Sequence, residues 1–249
     1  MLLSRPGLFD NIGAMTDEPT GYATAPAFLR IPWLVHGFGR AGWDEEDIKA
    51  SAALRGFRLV IMRQVHSDTI HRVERAPDEK LEGDALMTDV PGLMLVARTA
   101  DCLPVLLVDL AHRAVAAVHC GWRGTQKRIL GKAVLAMRRA YGSEPEAILA
   151  ALGPCIGPAC YEVGPEVREG FLRAGFPPSV FVEKGGATAG CLILDLRAAN
   201  VWLLESAGVQ RAHIWTADAC THCDPGLLSY RRNRGESRRM YNFLGIIKE

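Results

Sequence analysis

The sequence predicts an α+β fold, with helices covering the outer faces of antiparallel or mixed β-sheets. Strand-like runs outnumber helix-like ones, and they arrive in clusters instead of alternating strictly with helices. The strongest helix carries a single apolar stripe, as a helix lying on a sheet requires.

The elements follow in order. Residues 1–30 are rich in Gly, Pro, Thr and Ala and read as an irregular lead-in. Residues 31–249 contain no linker-like segment and read as one catalytic domain. A strand is expected at 33–38. Asp44 caps a short helix over 44–53, with Glu46 and Asp47 in its first turn. Apolar runs at 58–63 and 93–98 read as strands. Two more, at 105–109 and 114–119, are separated only by residues 110–113, which predicts an antiparallel hairpin. Residues 125–141 predict one long helix. Ile129, Ala133, Leu135, Ala136 and Met137 form its stripe, and Lys127, Arg128, Lys132, Arg138 and Arg139 stay wet. Strands at 147–152, 180–183, 191–194, 211–216 and 240–247 and helices at 167–174 and 196–207 complete the set.

Composition narrows the function. The 249 residues are 49% hydrophobic and 23% charged, enough apolar material for a core and too much for disorder. Lys and Arg number 29 against 28 Asp and Glu. That balance leaves no electrostatic footprint for nucleic acid, while a small anionic substrate needs only a few local cations. The longest apolar runs fall far short of the ~20 residues of a membrane-spanning helix. The start, Met1-Leu2-Leu3-Ser4-Arg5-Pro6, lacks the pattern of a signal peptide. A cytoplasmic location with reduced thiols is therefore expected. Seven Cys, an odd count, favour metal ligands, a nucleophile or buried thiols over a disulfide framework. A monomer or small homo-oligomer is expected.

Familiar catalytic signatures are missing. Gly131-Lys132 has Gln126 where a phosphate loop needs Gly. Neither a Gly-x-Ser-x-Gly elbow nor a His-Glu-x-x-His helix occurs. Three segments nonetheless look chemical. Arg63-Gln64-Val65-His66-Ser67 ends a strand, Arg98-Thr99-Ala100-Asp101-Cys102-Leu103-Pro104 links two, and His119-Cys120-Gly121-Trp122-Arg123-Gly124-Thr125 runs from a strand toward the long helix. Strand ends present side chains into clefts. His66, Cys102 and His119 arriving from three such ends suit zinc, and three protein ligands leave a fourth position for water or substrate. The intervals of 36 and 17 residues match no short metal signature. On spacing alone the three residues read equally well as unrelated core and loop positions.

These segments resemble the laccase-domain family, also called the multicopper polyphenol oxidase or purine nucleoside phosphorylase family. Gln64-Val65-His66-Ser67, Gly83-Asp84-Ala85-Leu86, Thr99-Ala100-Asp101-Cys102-Leu103-Pro104 and His119-Cys120-Gly121-Trp122-Arg123-Gly124 carry the resemblance. Gly153-Pro154-Cys155-Ile156-Gly157-Pro158, Cys220-Thr221 and Ser229-Tyr230-Arg231-Arg232 extend it, so that it spans residues 33–247. It implies a layered α-β-β-α domain. It implies His66, Cys102 and His119 as metal ligands, for zinc or alternatively copper. The implied activities are phosphorolysis of adenosine, inosine and methylthioadenosine, and deamination of adenosine, with a purine nucleoside and phosphate as small-molecule partners. Cys120 stands where the family commonly has Ala. Neighbouring strand residues face opposite ways, so Cys120 is expected to point away from the metal, unless the strand has already ended there.

On this reading His66, Cys102 and His119 are catalytic, and Gln64, Asp101, Arg123 and Arg231 contact substrate. Asp101 or Gln64 is expected to orient a ligand histidine or water. Residues 121–125 are expected to open the long helix, where free N–H groups favour an anion. A full laccase copper set would need many histidines, yet the chain has seven and no His-x-His pair. A single His-Cys-His copper site remains chemically possible. A hydrolase of a cell-wall precursor, with Cys102 as nucleophile and His119 as base, is a further alternative. A closed metal site that only braces the fold is the non-catalytic one. Trp122 reads as packing, and the basic run Arg231, Arg232, Arg234, Arg238 and Arg239 as a solvated loop. Cys220-x-x-Cys223 with Cys155 and Cys160 is a weak second zinc motif, better read as buried thiols, with His222 as a wet loop residue. His36, His71, His112 and His213 carry no case for function.

Overall fold

The computed structural model describes residues 16–17, 21–51, 54–183 and 192–248. In chain order the strands and helices are β1 (Thr16–Asp17), β2 (Tyr22–Thr24), β3 (Leu34–Gly39), α1 (Glu45–Ala50), β4 (Arg58–Ile61), β5 (Ile70–Arg72), β6 (Ala85–Thr88), β7 (Leu93–Thr99), β8 (Leu103–Asp109) and β9 (Ala114–Cys120). The second half holds α2 (Trp122–Gln126), α3 (Ile129–Tyr141), β10 (Ile148–Leu152), β11 (Glu162–Val163), α4 (Pro165–Arg173), β12 (Phe181–Glu183), β13 (Leu192–Leu194), α5 (Leu196–Ser206), β14 (Ile214–Thr216) and β15 (Met240–Ile246).

Two six-stranded sheets stack face to face. One runs β14-β10-β8-β9-β6-β5 and the other β1-β2-β3-β15-β7-β4. Both are mixed: β15 is antiparallel to β3 and β7, while β4 is parallel to β7 and β14 to β10. A small sheet, β11-β13-β12, stands apart.

Side-chain alternation sets the layers. On β8, Leu106 and Val108 enter the core between the sheets, with Leu95, Ala97, Leu244 and Ile246 from the opposite sheet. Val105 and Leu107 face the other way, onto Ile129, Leu130, Val134 and Met137 of α3 and Leu203 of α5. On β7, Met94 and Val96 point outward to Phe243, Trp43 and Ile48 of α1. The result is helix, sheet, sheet, helix, as the resemblance implies. Each fully buried aliphatic side chain contributes roughly 1.5–3 kcal/mol, so these interlayer positions dominate the stability.

Several local expectations hold. Asp44 accepts hydrogen bonds from the N–H groups of Glu46 and Asp47, and Asp47 returns one to the Asp44 N–H, closing a capping box. The β8–β9 hairpin pairs Leu107 with Ala116, and Arg113 takes a left-handed φ of 47° in its turn.

The long helix over 125–141 does not form as one piece. Arg128 adopts a left-handed φ of 63° and splits it into α2 and α3. The apolar stripe begins only at Ile129, just past the break, so periodicity carries no signal for where the helix starts. Part of the expected irregular lead-in is ordered, since β2 pairs antiparallel with β3. Strands β5 and β6 were not expected, and the run at 211–216 begins with a single 3-10 turn. Residues 1–15, 18–20, 52–53 and 191, covered by the expected lead-in, helix end and strand start, lie outside the described residues. No helix among the described residues is long and apolar enough to cross a membrane.

Candidate metal centre and substrate cavity

Three strand ends meet at one point. His66 follows β4, Cys102 precedes β8 and His119 lies near the end of β9. Their ligand atoms all fall within 4.8 Å of one another. His119 shares the face of Val115 and Ala117, which point between the sheets, whereas Cys120 packs with Val118 in the helix-side core. Cys120 is thus inside β9 and turned away from the cluster, as strand alternation predicts.

Asp84 organises the cluster. It is fully buried just before β6 and accepts five hydrogen bonds. The N–H groups of Val65, His66 and Ser67 donate to it at 3.4, 3.1 and 2.6 Å, and the Ser67 hydroxyl at 2.6 Å. His119 Nδ1 donates to Oδ1 at 2.8 Å. Burial opposes ionisation of Asp84, but the bonds from His119 and Ser67 outweigh it and hold the carboxyl down to about 2. The carboxylate engages His119 at Nδ1 and so turns Nε2 toward the Cys102 sulfur, on the side of the ring where a cation would take the place of the proton. Its grip on three successive amides also holds His66 at a left-handed φ of 58°.

The electrostatics describe a place for positive charge. Burial disfavours protonated His119, yet the adjacent Cys102 sulfur and Asp84 carboxylate pull its pKa up to about 9. Burial lowers the pKa of His66, with further repulsion from His119 and Arg123. Two imidazoles and one thiol with an open fourth direction match the ligand types of a catalytic zinc. Gly121 makes the approach possible: a Cβ there would sit 2.7 Å from His66 Nδ1 and 3.1 Å from Cys102 Sγ.

The cluster forms one wall of a cavity of about 680 Å³, within the ordinary range for small-molecule sites. Gln64, Asp101 and Arg231 line it with His66, Cys102 and His119. Arg123 does not. It is exposed, with its guanidinium 4.3 Å above the Trp122 ring, and that ring does line the cavity. With α2 only five residues long, the expected anion site at the start of a long helix loses its basis.

The orienting role expected of Asp101 or Gln64 falls to Asp84. Gln64 spends both ends of its amide on the backbone of Arg98, at 2.8 Å each. Asp101, at a φ of 87°, accepts from the Thr221 hydroxyl at 2.6 Å and the Arg231 N–H at 2.7 Å. Its carboxylate ties two loops to the residue beside Cys102.

Sequence reasoning passed over Asp84 as a site residue, along with Arg98, Tyr161, Tyr230 and Arg239, all four of which line the cavity. Asp84 stood in the Gly83-Asp84 motif, and Arg239 in the run read as solvated. Arg232 of that run is pinned inside, donating to the carbonyls of Thr221, His222, Asp224 and Leu227.

The chain has recognisable relatives. The profile of a family described as multi-copper polyphenol oxidoreductase laccase matches residues 44–247. An adenosine deaminase, RL5, from an unknown prokaryotic organism is 40% identical over 201 residues, covering 77% of this chain and 75% of the relative. The purine nucleoside phosphorylase YlmD of Geobacillus stearothermophilus is 35% identical over 204 residues, covering 77% and 73%. The crystal structure of YlmD superposes with a TM-score of 0.83 at 29% identity, over 94% of this chain and 99% of YlmD. The hypothetical protein YfiH of Bacillus licheniformis gives 0.84 at 27%, over 93% and 98%. With the matched segment running from α1 to β15 and holding every residue of the cluster, the chain belongs to the multi-copper polyphenol oxidoreductase laccase family.

Proposed function

We propose that the protein is a zinc-dependent purine nucleoside enzyme that splits adenosine, inosine and methylthioadenosine with phosphate and deaminates adenosine. The observation that carries this reading is the His66–Cys102–His119 cluster, oriented by Asp84 and opening into a cavity with aromatic and cationic walls. The names of the relatives, purine nucleoside phosphorylase and adenosine deaminase, support it.

His66, Cys102 and His119 hold the metal, and copper is the alternative for the same donors. A bound zinc supplies Lewis acidity and lowers the pKa of water toward neutrality. The remaining work belongs to the chain. Tyr161, Tyr230 and Trp122 offer rings against which a purine stacks. Arg98, Arg231 and Arg239 supply positive charge for phosphate. The Arg231 guanidinium is oriented by the Glu162 carbonyl, 3.1 Å from both terminal nitrogens, and by the Tyr161 ring 5.4 Å away. In phosphorolysis a phosphate oxygen bonds to C1′ of the ribose as the bond to the purine nitrogen breaks. In deamination water adds to C6 and ammonia leaves.

A second reading uses the same residues without a metal. Cys102, His119 and Asp84 line up as nucleophile, base and orienter, the arrangement of a thiol hydrolase. One experiment separates the two: metal content and nucleoside turnover, with and without phosphate, for the native chain and Cys102→Ala. Zinc together with phosphate-dependent release of free base, both lost in the variant, supports the first reading. A metal-free chain whose Cys102 is rapidly alkylated, with no nucleoside turnover, refutes it and favours the second.

A further inference from the structure

A second set of metal-type side chains comes together away from the Asp84-oriented cluster. The residues 220–224 form a tight turn, with the N–H groups of Cys223 and Asp224 both donating to the Cys220 carbonyl at 3.1 and 3.0 Å. Cys160, sixty positions earlier in the chain, ends the 3-10 turn Pro158–Cys160 and meets this turn. The Cys160 and Cys223 sulfurs are 3.4 Å apart, and the ligand atoms of Cys160, His222 and Cys223 all lie within 4.8 Å of one another. The Cys220 sulfur interacts with both other thiols and accepts the Gly157 N–H at 3.1 Å; it stands just outside the converged trio and joins it as fourth ligand by a small side-chain shift. Gly157 permits that approach, since a Cβ there would stand 3.2 Å from Cys220 Sγ.

We propose that Cys160, Cys220, Cys223 and His222 form a second metal site, a closed four-ligand structural site for zinc. The C-x-x-C spacing is that of a zinc knuckle. Zn–S bonds of about 2.3 Å in a tetrahedron place sulfurs roughly 3.8 Å apart, close to the separation already present. Amide N–H donation to a ligating sulfur is the support such sites use. Packing does not explain the group, because Cys223 is exposed and Cys160 and Cys220 are only half-buried. The buried-thiol expectation holds for Cys155, which is 1% exposed, and not for these three.

The site acts as a clasp on the cavity. Tyr161, next to Cys160, lines one wall. Thr221, inside the C-x-x-C turn, donates to Asp101 beside Cys102, and Arg232 binds the carbonyls of Thr221, His222 and Asp224. A metal here fastens the Tyr161 wall to the turn that positions Asp101.

Metal analysis of the full-length chain tests the proposal. Purified with zinc, it is expected to hold about two equivalents. Cys102→Ala is expected to lose one, and the Cys160→Ser/Cys223→Ser double variant to lose the other. With cobalt in place of zinc, the thiolate-to-metal absorption reports four thiolates, three of them here. The double variant is expected to keep about a quarter of it. Cys223→His keeps a ligand at that position and is expected to retain both metals, even where the serine variants fold poorly. A native chain with one zinc that vanishes in Cys102→Ala overturns the proposal. So does loss of the second zinc in Cys223→His, or a metal-free Cys160–Cys223 disulfide in chain prepared without reductant.

Discussion

Replacing Asp84 by Asn removes one charge and leaves the shape almost unchanged, so its effect isolates the hydrogen-bond logic of the centre. Oδ2 accepts from the Val65 and Ser67 amides and the Ser67 hydroxyl, and Oδ1 from the His66 amide and His119 Nδ1. An amide side chain has one acceptor end only. With its NH2 group turned to the Oδ2 position, it faces two backbone donors and leaves both unsatisfied. The Ser67 amide, bonded at 2.6 Å, costs about 1–3 kcal/mol as an orphan, and the Val65 amide, at 3.4 Å on a residue 40% exposed, adds little. Turned the other way, the NH2 group faces the His66 N–H and the His119 ring. His119 then moves its proton to Nε2 to accept at Nδ1, which removes the lone pair a metal needs. Either orientation is expected to lower the thermal midpoint and to weaken metal binding by about 10–100-fold. Denaturant titration and chelator competition measure the two effects. An Asn variant that keeps both its stability and its metal affinity would refute the orienting role of Asp84.

Three further outcomes follow from other positions. Gly121 has an ordinary extended backbone, φ −74° and ψ 166°, so Gly121→Ala adds no backbone strain; its Cβ would stand 2.7 Å from His66 Nδ1 and push the ring back by about 0.8 Å to reach an ordinary ~3.5 Å contact. Turnover is expected to fall by tens-fold with little change in melting, and unchanged turnover would show that His66 does not act from this position. Cys120→Ala is expected to leave metal content intact and to cost on the order of 1 kcal/mol through a small void in the helix-side core; loss of the metal would instead make Cys120 a ligand. Burial holds the pKa of His36 down to about 4, with the Ala25 N–H donating to its Nε2. Below about pH 6.5 the unfolded chain takes a proton that the folded one refuses, so stability is expected to fall as pH drops from 6.5 to 4, by about 3 kcal/mol in full. In His36→Gln that slope should disappear from acid unfolding curves.

Some of this was legible in the sequence because short-range rules determine it. Two apolar runs four residues apart made the β8–β9 hairpin, and strand alternation sent Cys120 one way and His119 the other. The break between α2 and α3 was not legible, since the stripe starts at Ile129 and nothing in the polar residues 125–128 marks the left-handed turn at Arg128. The place of Asp84 was not legible either. A buried acid before a short strand looks like a turn residue until chain segments 17 and 35 positions away bring it their donors. The C-terminal arginines misled for a related reason: a basic run reads as solvated, and only the fold reveals the carbonyls that Arg232 reaches.

The position of β15 has a consequence for the order of assembly. It lies in the interior of its sheet, hydrogen-bonded to β3 on one side and β7 on the other. Until Met240–Ile246 has left the ribosome, those two strands face a gap, and the half of the sheet that carries β7 toward the cavity is unzipped from the half that carries β2. Residues 229–239, which bring Tyr230, Arg231 and Arg239 to the cavity, are threaded just ahead of that final strand. The docking of β15 therefore completes the inter-sheet core with Leu244 and Ile246 in the same step that brings Arg231 and Arg239 to join Arg98 on the cavity wall. A ribosome-stalled chain ending before residue 240 would expose the edges of β3 and β7 and have no finished pocket, which makes the interval before β15 emerges the one in which this fold is most vulnerable to aggregation.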